Sequence, residues 1–259
     1  MNKLFYGSLL FLFLASAGCK KTKECMYNYP LVAADKYIYP VKPGSAEWNA
    51  AGASGIGQSY PLDPIYKLCQ IPENILQSMS TLGLIQSLEE NPCMVNMLLR
   101  DNSKQGRDEV LSRLNVSWIL NKRADAGTNI IKYYESKDPN IISCIGVDYD
   151  KFLYATNWFF FNMVCTQDSI LNQLDSPKKR KFAKIINEKF NTQLQYPKFF
   201  EWSKTSSILL MSQLMISDNF QPYLVALQAN PNLNFFAETG ALVDDFYPIV
   251  LNFTNQFIK

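Results

Sequence analysis

The stretch that decides the fold runs from Cys69 to Gly127. It begins Cys69-Gln70-Ile71-Pro72-Glu73-Asn74-Ile75-Leu76 and closes Arg123-Ala124-Asp125-Ala126-Gly127. Apolar residues recur at helical spacing: Ile75, Met79 and Leu82 stand at i, i+4 and i+7, and Leu76, Ile85 and Leu88 widen the stripe. Pro72 suits a first helical turn, where its missing N–H costs nothing, and Glu73 suits the positive end of the helix dipole. Ser80-Thr81 offers hydroxyls to cap a restart. Pro92 forbids continuation through Asn91 and opens the next run, Met94, Val95, Met97, Leu98 and Leu99. Gly106 is expected to separate that run from Val110, Leu111 and Leu114, and Asp125 to cap a helix carrying Ile130, Ile131 and Tyr134. None of these segments reaches the about 12–15 residues at which an isolated helix is stable, so each must lean on its neighbours. The expected fold is all-α, an irregular stack of helical hairpins (an α-superhelix or bundle) with an extended N-terminal arm.

The run Ile71-Pro72-Glu73-Asn74-Ile75-Leu76-Gln77-Ser78-Met79-Ser80-Thr81, with Gly83-Leu84-Ile85, Pro92, Arg123 and Asp125-Ala126-Gly127, resembles a family of uncharacterised exported helical proteins of Gram-negative gut-type bacteria. Upstream, Tyr39-Pro40-Val41-Lys42-Pro43-Gly44-Ser45-Ala46-Glu47-Trp48 is similar to the segment that often precedes that block. The resemblance spans Tyr39 to Tyr134. It departs where the family has Cys-x-Asn-Tyr-Pro and this chain has Leu88-Glu89-Glu90-Asn91-Pro92. What it implies is an exported helical module, with no catalytic residue assigned.

The chain has 259 residues, 47% hydrophobic and 14% aromatic, enough for a sizeable core and wrong for disorder. A formal charge of +2 gives no nucleic-acid footprint. Histidine is absent, which removes the commonest general base, the commonest metal ligand and the usual partner of a nucleophilic Ser or Cys.

Residues 1–18 read as a signal peptide: Asn2-Lys3 is basic, Leu4 to Ala15 apolar, and Ser16-Ala17-Gly18-Cys19 a small-residue site. The apolar run falls short of the about 20 residues that span a bilayer. Small residues before Cys19 resemble a bacterial lipobox, with Ser16 where Leu is usual. Lipidation of Cys19 would anchor the chain, since acyl chains add roughly 0.8 kcal/mol per buried CH₂. The expectation is therefore an exported protein held through Cys19 to the cell envelope at the outer membrane. Lys20, Lys21 and Lys23 then form a solvated tether.

Residues 19–67 read as tether and extended arm, with Tyr37-Ile38-Tyr39 laid on the helices and Trp48 pinning it. Gly52, Gly55 and Gly57 lack the spacing of a phosphate cradle and read as a loop. Residues 68–259 form the helical domain, 68–136 its family-like half and 137–259 its second half. There a long helix is expected from Asp148 through Leu174, apolar on nearly every side around Trp158-Phe159-Phe160-Phe161. Such a helix is normally a bundle's buried centre; the alternative is an aromatic wall for a ligand, with Trp158, Phe161 and Trp202 as the candidate surface. Ser176 is the expected cap of a helix with Pro177 first, and Lys178-Lys179-Arg180-Lys181 its solvated rim. Three further helices are expected, over Ile208–Ile216, Tyr223–Leu227 and Leu242–Phe257.

Carboxylates pair at Glu89/Glu90, Asp108/Glu109, Asp148/Asp150 and Asp244/Asp245, but neighbours on a helix point to different faces. A glycosidase needs two acids about 5–9 Å apart across a sugar. Asp148-Tyr149-Asp150 lacks the Gly and Glu of a calcium loop, and the cysteine spacing suits no zinc site. Besides Cys19, the cysteines Cys25, Cys69, Cys93, Cys144 and Cys165 cannot all pair within one chain, and one or two disulfides are expected, partners open. No catalytic set, cofactor or metal is expected. The reading that emerges is a lipid-anchored binding or assembly module whose partners are the membrane and envelope proteins or glycans, not nucleic acid. The alternatives are a carboxylate-dependent enzyme on polysaccharide and a structural spacer.

Overall fold

Two helices, each with a stretch buried all round, set the plan. In the computed structural model, which describes residues 30–53, 62–241 and 244–259, every regular element among the described residues is a helix. In chain order these are α1 (Ala46–Trp48), α2 (Leu62–Leu68), α3 (Glu73–Leu76), α4 (Thr81–Glu89), α5 (Ser103–Ser112), α6 (Asn115–Lys122), α7 (Ala126–Ser136), α8 (Asp148–Cys165), α9 (Asp168–Leu171), α10 (Ser176–Gln193), α11 (Glu201–Ser217), α12 (Gln221–Ala229), α13 (Pro231–Thr239) and α14 (Tyr247–Phe257). A π turn follows α1 over Asn49–Ala53, and 3₁₀ segments cover Pro92–Leu99, Pro139–Cys144 and Asp244–Phe246. The signal segment, Cys19, the lysines after it, Gly55 and Gly57 lie outside the described residues.

The side chains of α8 are buried continuously from Trp158 to Cys165, and those of α11 from Thr205 to Met215. A helix with no polar face must be covered on every side. The two pack on each other; α4 and α5 cover α8, while α10, α13 and α14 cover α11. The aromatic run from Trp158 is thus the bundle's centre. Small serines let α11 come close, and their hydroxyls are satisfied locally: Ser206 and Ser207 each donate to the Ser203 carbonyl at 2.9 Å. Asn162 of α8 sets the register across the seam, donating to Ser206 (2.9 Å) and Ser207 (3.0 Å).

The first half keeps its hairpins, with the breaks displaced from their expected places. Gly106 lies inside α5, where a Cβ would sit 2.2 Å from the Met97 carbonyl oxygen. It is a close-approach glycine, and the break falls instead at Asn102, which caps α5 by accepting from the Gln105 amide at 2.8 Å. Ile75 and Leu82 belong to separate short helices, with Ser80 capping the second by accepting from the Gly83 amide. The run after Pro92 is a 3₁₀ segment. Asp125 sits at the start of α7 without capping it; its carboxylate accepts from Thr81 (2.7 Å) and Asn129 (2.8 Å).

In the second half, the long helix stops at Cys165. There the buried Arg107 guanidinium takes the Thr166 carbonyl (2.9 Å) and hydroxyl (2.7 Å), meeting the acceptors a helix end leaves open. The cap of α10 is Asp175, one residue earlier than expected, accepting from the Lys178 amide at 2.9 Å. Lys179 leaves the expected solvated rim: it is buried and donates to the Ser217 carbonyl at the end of α11 (2.6 Å). A helix not expected from the sequence, α13, begins at Asn230-Pro231, with Asn230 accepting from the Leu233 amide (3.1 Å) and Pro231 in the first turn.

Residues 30–43 lie extended along α4 and α7. Side chains of the body receive the arm's amides: Gln86 accepts from Ala33 (2.8 Å), Ser87 from Tyr37 (2.8 Å) and Ser136 from Leu31 (3.1 Å). Asp35 accepts from the Ser80 amide and hydroxyl at the head of α4. Burial raises its pKa, yet these hydrogen bonds outweigh that and hold the carboxyl below its ordinary value. At the arm's far end the buried Tyr39 hydroxyl accepts from Asn91, which also donates to the Cys69 carbonyl (both 2.9 Å). Beside this knot Cys69 and Cys93 form a disulfide; Cys144 is disulfide-bonded as well, and Cys165 is free and buried.

The Cys69–Cys93 bond closes a loop of sequence separation 24 in the unfolded chain. Replacing both residues with alanine should lower the stability measured by urea unfolding by about 3 kcal/mol. A loss below about 1 kcal/mol would show that the helices fix this loop unaided.

Candidate functional site

Two places concentrate polar and aromatic chemistry. The first is internal. Glu89, at the end of α4, and Lys137, just after α7, form an ion pair with both side chains about 95% buried, 4% and 5% exposed. Tyr133 donates to the other carboxylate oxygen of Glu89 at 2.7 Å. The Lys137 ammonium also lies 5.0 Å from the Trp158 ring centroid, 5.3 Å from that of Tyr133 and 5.4 Å from that of Phe161. Burial, with the Glu89 charge beside it, drives the Tyr133 hydroxyl far above its usual pKa, so it remains a donor.

This corrects the assignment of Trp158 and Phe161 to a ligand surface. Both are fully buried, and the aromatic faces that a ligand would stack on are occupied by the protein's own lysine. Cation–π attraction in a dry setting and a charged hydrogen bond from Tyr133 offset part of the cost of burying both charges. The sequence concealed the arrangement because Glu89 looks like half of a surface pair with Glu90 and Lys137 like a loop lysine.

The second place is open. Trp202, in the first turn of α11, is 50% exposed. The fully buried Phe200 anchors the corner before it, and the Phe200 amide bonds back to the Tyr196 carbonyl. Two hollows share Trp202 and Leu98 in their walls. The smaller, about 150 Å³, is also lined by Met97, Phe159, Arg100 and Asp101. The larger, about 360 Å³, is also lined by Phe152, Ala155, Phe199 and Lys198. Phe152 and Phe199 meet edge to face with centroids 5.0 Å apart. Lys151 and Lys198 lie over the Phe199 ring, and both pair with Asp148. Lys198 holds the Asp148 carboxyl below its usual pKa.

The four candidate carboxylate pairs go different ways. Glu89 points into the core, whereas Glu90 reaches Lys36 of the arm at 2.8 Å. Asp108 holds Arg107 at 2.6 Å, and Glu109 holds Arg100 and Arg113. Its bond to Arg100 depresses the Glu109 pKa. Asp148 takes two lysines while Asp150 is exposed, and Asp245 is exposed. Among the described residues no three His, Cys, Asp or Glu side chains gather into a metal site. No helix there is long and apolar enough to cross a membrane.

Comparison of the chain with family models, curated proteins and solved structures finds no match.

Breaking the buried pair should be costly in a diagnostic way. Lys137→Met leaves an uncompensated carboxylate in the core and should destabilise by about 3–5 kcal/mol. Adding Glu89→Leu to it should restore most of that loss. Thermal and urea unfolding of the two single variants and the double variant read the coupling; additive losses would show that the charges do not depend on each other.

Proposed function

We propose that this protein is a binding or assembly module held at the cell envelope by lipidation of Cys19, and that it presents its ligand surface at the Trp202 groove. The observation that carries the binding part is that groove: a half-exposed indole lines two adjoining hollows, whereas Trp118, exposed to a similar degree, lines neither. Concave, largely apolar sites with a few polar groups are the usual form of ligand pockets. Support for an exported protein comes from the sequence through Ser16-Ala17-Gly18-Cys19, from the resemblance to exported bacterial proteins, and from the Cys69–Cys93 disulfide, a bond that persists in oxidising compartments.

The polysaccharide-enzyme alternative has thinner support, since Glu89, Asp108, Glu109 and Asp148 are each engaged by a cation of the protein itself. A spacer role leaves the exposed Trp202 without a purpose.

Growth with a clickable palmitate should label the wild-type chain and leave Cys19→Ala unlabelled in a soluble fraction. Equal labelling of the variant, or recovery of full-length protein from the cytoplasm with residues 1–18 intact, would overturn the anchored reading.

A further inference from the structure

We infer that the Trp202 groove recognises an uncharged saccharide, stacking one sugar ring on the indole while Asp101 and Arg100 hold neighbouring hydroxyls; this rests on the proposal that the groove is the ligand surface. Three features combine. The first is the platform. Trp202 is exposed, and neither its ring nor its N–H has a hydrogen-bond or ring partner among the described residues, in contrast to Trp118, whose N–H donates to the Ser112 carbonyl. A sugar ring presents a face of C–H groups that suits an aromatic plane, with its hydroxyls around the edge.

The second is the polar lip of the smaller hollow. Arg100 directs Nε and Nη2 to Glu109, which fixes the guanidinium and leaves further N–H donors. Asp101, beside it, is exposed and has no hydrogen bond or ion pair to a described residue. A carboxylate accepts from two hydroxyls and a guanidinium donates to their oxygens, so the two adjacent side chains match a vicinal diol. A hydrocarbon ligand would leave both groups unmet.

The third is charge. In the walls, Arg100 is balanced by Glu109, Lys198 by Asp148, and Glu201 by Lys204 at 3.1 Å. Each of the wall cations therefore has a carboxylate partner, and Asp101 adds a negative charge beside Arg100, which disfavours an anionic sugar. The hollows, about 150 and 360 Å³, suit one ring and a short continuation.

The test uses the full-length protein in mild detergent. Calorimetry and tryptophan fluorescence follow titration with maltotriose, cellotriose, mannotriose, xylotriose and tri-N-acetylchitotriose to about 10 mM, so that a weak millimolar Kd is still read. Trigalacturonate and a trileucine peptide serve as contrasts. Saturable binding of at least one uncharged trisaccharide is expected, weakened about tenfold by Trp202→Ala and by Asp101→Ala, and retained within a few-fold by Trp202→Phe. Both altered residues are exposed, and circular dichroism checks each variant's fold. Pull-down on insoluble mannan and cellulose separates a reader of polymer surfaces from a binder of free oligosaccharides. Saccharide binding that ignores both variants would overturn the site. Trp202-dependent binding of trileucine alone would overturn the ligand class and spare the binding-module reading. No binding by any trisaccharide would overturn the inference, with the palmitate experiment unaffected.

Discussion

The structure depends on the need to cover α8 and α11 from all sides. Water-facing surface on either would expose a continuous apolar run, and burying a side chain such as Leu or Phe is worth roughly 1.5–3 kcal/mol. Of the short helices of the first half, individually too weak to persist, α4 and α5 cover α8 and α6 and α7 pack on α4, while α10, α13 and α14 cover α11. The arm is then laid on the outside, through amides received by Gln86, Ser87 and Ser136.

A centre made of two apolar helices still contains polar groups, and several are tied to structural tasks. Asn162 fixes how α8 slides against α11, Arg107 ends α8, and Lys179 ends α11. Glu89 and Lys137 lock α4 to α7 against the aromatic face of α8. With Trp158 and Phe161 taken up in that lock, Trp202, Phe199 and Phe152 gather near the turn from Tyr196 to Trp202 and frame the larger hollow, while Trp118 and Phe235 are exposed outside it.

The helical class and the buried centre were legible in the sequence because periodicity and an all-round apolar run report directly on burial. Breaks were less so. Gly106 reads as a separator, but its missing Cβ makes room for the Met97 backbone, a contact that no local pattern announces. Asn230-Pro231 both ends α12 and begins α13, because the same residue types serve both roles. Of the three aromatics singled out, Trp158 and Phe161 share the apolar face that packs inward, whereas Trp202 follows a corner and remains outside. The partner of Glu89 lies 48 residues away, so the buried charge became visible only with the fold.

Native-state hydrogen exchange over α8 and α11 tests the central claim most directly. If both helices are the shared centre of one body, amides from Trp158 to Cys165 and from Thr205 to Met215 should exchange only by global unfolding, with free energies agreeing within about 1 kcal/mol with each other and with denaturant unfolding. Exchange of the α8 amides in a separate, lower-energy opening while α11 stays protected would contradict it.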